Sequence, residues 1–115
     1  MLTNVFASFL DEGDEAIMFE PAFESYIHQT EIFGAKNRFF PMDPPKGDSM
    51  EWKIDFKGLK KCFNNRTKLI ILNTPQNPVG KMYSENEIHE FINILNDYPN
   101  CIVVSDEVIR HFFVE

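Results

Sequence analysis

The sequence predicts an α/β fold, a three-layer arrangement with a mainly parallel sheet covered by helices on both faces. Short apolar runs of strand length recur at residues 16–20, 69–72 and 101–104, and a further strand is expected at 37–41. The segments between them space their apolar residues at helical intervals, so strands alternate with helices along the chain. Polar, turn-forming residues follow the third and fourth strands, as expected where a ligand sits beyond the carboxyl ends of parallel strands.

Residues 2–10 read as the tail of an amphipathic helix without a capping residue, which suggests a start upstream of Met1. Asp11-Glu12-Gly13-Asp14-Glu15 is a turn, and Pro21 closes the first strand. Residues 23–33 form a helix through Phe23, Tyr26, Ile27 and Phe33, capped by Gly34. After the second strand, Pro44, Pro45 and Gly47 mark an exposed loop, with Trp52 and Ile54 anchoring its return. Asp55 caps a short helix that runs to Phe63 and leads to the third strand, Leu69-Ile70-Ile71-Leu72. Ser84 and Glu87 have the spacing of a capping box, followed by Ile88, Phe91, Ile92 and Leu95. Pro99 ends that helix, and the fourth strand is closed by Ser105-Asp106-Glu107.

At 115 residues the chain is read as one domain, and its 12 phenylalanines argue against extensive disorder. The net charge of −7 is scattered, with no Lys/Arg block to follow a phosphate backbone or an anionic bilayer, so neither nucleic acid nor membrane is an expected partner. No apolar run approaches the ~20 residues of a membrane span. Cys62 and Cys101 form neither a zinc spacing nor a disulfide framework, which points to a reducing compartment and the cytoplasm, with a mitochondrial location left open. His28, His89 and His111 show no ligand or triad spacing, and no metal site is expected.

Two segments carry candidate chemistry. Asn73-Thr74-Pro75-Gln76-Asn77-Pro78-Val79-Gly80 is either a merely structural turn or a stiff loop that aims the Asn77 amide. Asp106 either caps the turn after the fourth strand or presents a carboxylate to a cationic ligand nitrogen.

Taken in order, Glu12-Gly13-Asp14-Glu15, Glu20-Pro21-Ala22-Phe23, the Asn73 to Gly80 block and Ser105-Asp106-Glu107-Val108 resemble successive blocks of the class I/II, fold-type I aminotransferases. The similarity is closest to the kynurenine aminotransferase and cysteine-conjugate β-lyase branch. The resemblance implies a partial large domain spanning 1–115, a pyridoxal 5'-phosphate cofactor, amino acid and 2-oxo acid substrates, and a homodimeric parent enzyme. It implies that the four strands stand side by side, with 101–104 beside 69–72, then 16–20, then 37–41. It also implies that the strand covering 101–104 lies elsewhere, leaving an apolar edge.

By the same resemblance, Phe23 stacks on the cofactor ring, and Asn77 binds the ring hydroxyl and the substrate carboxylate. Asp106 faces the pyridinium nitrogen, which stays protonated beside a carboxylate. Tyr26 supports that aspartate, or else is helix core.

Ile109 departs from the pattern, standing where the family has a tyrosine whose hydroxyl meets the ring oxygen. Losing a hydrogen bond to a charged oxygen costs about 1.5 to 3 kcal/mol. The resemblance puts the phosphate-binding Gly-Ala turn before Leu2 and the Schiff-base lysine beyond Glu115, since all eight lysines precede Asp106. Lys81 reads as an exposed residue on the approach to a helix. The chain alone is therefore expected not to turn over and to bind cofactor weakly at most. The alternatives are a catalytically dead remnant or pseudoenzyme serving as a binding or interaction module, and an unrelated flavodoxin-like domain. Kynurenine, glutamine and cysteine conjugates all remain open as substrates.

Overall fold

The computed structural model describes residues 2–108, and the predicted alternation is present in it. Helix α1 (Leu2–Phe9) is followed by β1 (Glu15–Glu20), α2 (Glu24–Ile32), β2 (Lys36–Pro41), α3 (Phe56–Cys62), β3 (Thr67–Asn73), α4 (Glu85–Leu95) and β4 (Ile102–Asp106). The strands form one parallel sheet in the order β2-β1-β3-β4, the order the resemblance implied.

Side chains alternate across a strand, so each strand feeds two cores. Ile17, Phe19, Ile70 and Leu72 meet Leu59 of α3 and Phe91 and Ile94 of α4 on one face. Ala16, Met18, Leu69, Ile71 and Val104 meet Phe6 of α1 and Tyr26 of α2 on the other. Ile17, Leu69 and Ile70 are fully buried, and each such side chain stabilises the fold by ~1.5–3 kcal/mol. The sheet is thus the middle of three layers.

Local signals set the helix ends. The Ser84 side chain accepts from the Glu87 N–H, and Glu87 Oε2 accepts from the Ser84 N–H at 2.9 Å, satisfying two donors that the first turn leaves free. Asp55 Oδ1 accepts from the Lys57 N–H at 3.1 Å. Gly34, just past the end of α2, has φ +74°, a conformation that side chains with a Cβ rarely adopt. Trp52 and Ile54 pack against the α3/α4 core, and an antiparallel bridge between Asp43 and Lys53 closes the loop they anchor.

Three expectations need correction. Phe23 is the N-cap of α2 rather than its first helical residue, with extended backbone, because the chain is still leaving Pro21. Strand β4 continues through Ser105 and Asp106, since both pair in register with β3: Ser105 with Leu72 and Asp106 with Asn73. Lys81 is buried, not exposed. Its Nζ lies 2.7 Å from Glu87 Oε1 and donates to the Trp52 carbonyl at 2.8 Å, and these partners hold a charge that would otherwise stay in water.

The two sheet edges differ. Outer strand β2 carries Lys36, Arg38 and Pro41, residues that discourage further pairing. Outer strand β4 carries Ile102 and Val103 and no lysine, arginine or proline, and its flank forms an apolar groove of about 430 Å³ with Leu2, Val5 and Phe9. Among the described residues no strand covers it. No described helix is long and apolar enough to cross a membrane.

Candidate functional site

Phe23, Asn77 and Asp106 follow or end β1, β3 and β4, three adjacent strands pointing the same way, so all three lie along one rim of the sheet. Period-two alternation puts Ile71 and Asn73 on one face, and Val104 and Asp106 on the same face, toward α2. There the Tyr26 hydroxyl donates to Asp106 Oδ2 at 2.6 Å.

A continuous set of contacts links the predicted residues. The Phe23 and Tyr26 rings meet edge to face, 5.5 Å between centroids at 85°. Tyr26 holds Asp106, and Asn73 Nδ2 donates to the Asp106 carbonyl at 3.0 Å. Asn73 Oδ1 accepts from the Asn77 N–H at 2.7 Å, and the Thr74 N–H donates to the Asp106 carbonyl at 2.9 Å. Tyr26 is 3% exposed and so belongs to the core, and its hydroxyl hydrogen-bonds Asp106. The turn-cap reading of Asp106 has a counterpart, because Oδ1 accepts from the Val108 N–H at 3.2 Å.

Burial, then the hydrogen bond to Asp106 and its charge, holds the Tyr26 phenol well above its ordinary pKa, so this group remains a donor. Asp106 is 9% exposed at the rim. Phe23 is 39% exposed and presents ring surface to solvent. The Asn77 side chain makes no hydrogen bond with the described residues, which leaves its amide available. Ile109 and His111 lie outside the described residues. His28 and His89 are surface residues, near Glu24 and Glu85 respectively.

Sequence reasoning missed Asn73, Gln76 and Tyr83. The first two lie inside the block singled out for Asn77, but polar residues in a turn give no sign of which are buried. Tyr83 resembles any aromatic before a helix.

The whole span 1–115 matches the model of the family described as aminotransferase class I and II. The chain belongs to this family. This aminotransferase chain is 39% identical over 110 residues to the Saccharomyces cerevisiae protein named "Probable kynurenine--oxoglutarate transaminase BNA3", covering 90% of the chain and 24% of that protein. The crystal structure of Bna3p from the same yeast superposes with a TM-score of 0.88 at 36% identity, covering 96% of this chain and 27% of that one. Cystalysin from Treponema denticola, whose crystal structure contains a pyridoxal 5'-phosphate cofactor, shares the fold with a TM-score of 0.82 at 22% identity, over 92% of this chain and 26% of that one. The chain thus spans about a quarter of the length of the relatives it matches.

Proposed function

We propose that this chain forms part of the cofactor-holding large domain of an aminotransferase that moves an amino group from an amino acid to a 2-oxo acid, with kynurenine and 2-oxoglutarate as the leading substrate pair. The observation that carries this reading is the connected line from Phe23 through Tyr26, Asp106 and Asn73 to Asn77 along one strand rim. Membership of the class I and II family and the 39% identity to a kynurenine--oxoglutarate transaminase support it.

The residues present fit a protonated pyridine ring. The Asp106 carboxylate is the anion, oriented by Tyr26, and the exposed face of Phe23 is the platform. The cleft beneath Phe23 measures about 10 Å³, room for no more than one water. When bound, pyridoxal phosphate supplies an aldehyde that takes the substrate's amine and a protonated ring that accepts electrons released at its α-carbon. Asp106 favours the protonated nitrogen, Asn77 donates to a ring or substrate oxygen, and Tyr26 keeps Asp106 aimed. Lys81 does not serve as a free amine, because Glu87 and the Trp52 carbonyl engage its ammonium.

The test is titration with pyridoxamine 5'-phosphate, which lacks the aldehyde and so cannot label surface lysines. Weak, saturable quenching of its fluorescence that Asp106→Ala abolishes is the expected result. Absence of saturation, or identical curves for the two proteins, overturns the proposal.

A further inference from the structure

Gln76, one residue before Asn77, is 4% exposed and tied on several sides. Its N–H donates to the Lys81 carbonyl at 2.8 Å, its carbonyl accepts from the Gly80 N–H at 2.6 Å, and its Nε2 donates to the Pro21 carbonyl. Pro21 lies two residues before Phe23. One side chain therefore straps the Asn77 loop to the backbone that carries the Phe23 platform.

The other end of that side chain, Oε1, is buried without a partner among the described residues, and so is the Tyr83 hydroxyl. Unpaired buried polar atoms are uncommon, because the lost hydration is uncompensated. Both residues line the same cleft beneath Phe23, alongside Met18, Ile71 and Asn73. Asn73 does not satisfy them, since its own amide is engaged by Asp106 and Asn77. Two orphaned atoms around one small void call for a common ligand. At about 10 Å³ the void is at the lower limit for one water and too small for anything larger.

We infer that this cleft is a one-water site, in which a single water donates to Gln76 Oε1 and is held by the Tyr83 hydroxyl. The bridge fastens the lead-in to α4, where Tyr83 packs on Phe19 and Phe91, to the Asn77 loop. Through the Gln76 strap it also steadies the Phe23 platform. Gln76 and Tyr83 are positioning residues in this scheme and touch no substrate.

The test is a double-mutant cycle of Tyr83→Phe and Gln76→Met, read by denaturant unfolding without cofactor, together with a high-resolution crystal structure. Because no cofactor is involved, failure here is separate from failure of the aminotransferase reading. Tyr83→Phe is expected to lower the folding equilibrium constant about tenfold, although its hydroxyl has no partner among the described residues. The double variant is expected to fall well short of the product of the single losses, and density for one water is expected within hydrogen-bond distance of both atoms. A neutral or stabilising Tyr83→Phe, independent effects, an empty cleft, or a direct contact between the two atoms would each overturn the inference.

Discussion

The Tyr26 hydroxyl donates to Asp106 Oδ2 over 2.6 Å, joining residues 80 positions apart in the chain. Removing it in Tyr26→Phe leaves a buried carboxylate oxygen without its donor, at a cost of about 1.5–3 kcal/mol. Denaturant midpoints at constant slope measure that loss. The same variant should weaken pyridoxamine phosphate binding, because Asp106 loses its orientation as well as a bond. A variant as stable as the parent would show that Asp106 is held by other groups.

Alkaline pH should destabilise the chain. Burial holds Tyr26 above its ordinary 10.0, aided by Asp106, and holds Tyr83 above the same value, aided by the charge of Glu87. Burial also pushes the Cys101 thiol from its ordinary 9.0 up to about 11. Between the ordinary and raised values the unfolded chain has released protons that the folded chain keeps, so stability declines as pH rises. These groups contribute fully below pH 9, and the decline from Cys101 runs from 9.0 to about 11. Unfolding free energies measured from pH 7 upward should therefore begin to fall near pH 9, and a flat profile through pH 11 would contradict the burial of Cys101.

Lys81→Met should destabilise by ~3–5 kcal/mol, since it strands the Glu87 carboxylate and frees the Trp52 carbonyl. Adding Glu87→Met should recover part of that loss, although it also removes the reciprocal cap on the Ser84 N–H. Thermal melts of the two single variants and the double would show the recovery. A Lys81→Met protein that melts like the parent would mean that the ion pair only offsets its own desolvation.

The bare flank of β4 should drive self-association. Val103 is 42% exposed on an edge strand without lysine, arginine or proline, whereas β2 carries Lys36 and Arg38. Val103→Lys should shift sedimentation toward monomer, while a charge added on the already guarded β2 edge should change little. Equal behaviour of the two variants would remove the distinction between the edges.

Much of this architecture is legible in the sequence because local signals agree. The runs around Ile17 and Ile70 are apolar at every position a doubly covered strand must bury, and Ser84 with Glu87 declares a helix start three residues apart. Asn77 and Asp106 stand out as polar residues in the turns after buried strands, and the ordered blocks then single them out. What escaped depended on distant partners. Lys81 reads as a surface residue until Trp52, 29 positions earlier, supplies a carbonyl. Gln76 reads as a turn residue until Pro21, 55 positions earlier, receives its amide. The end of β4 was misplaced because Ser105 and Asp106 are polar, yet ladder pairing with Leu72 and Asn73 outweighs composition there.

The pairing of Asp106 with Asn73 also sets how this region tolerates changes in length. Alternate residues of a strand face opposite ways, so deleting a single position between Ile102 and Ser105 would turn the acid toward the α4 layer and leave Tyr26 facing a different side chain. An extra residue near Pro99, ahead of the ladder, would be absorbed by the turn. Indels spaced only a few codons apart should thus have opposite fates, one silent and one abolishing the site.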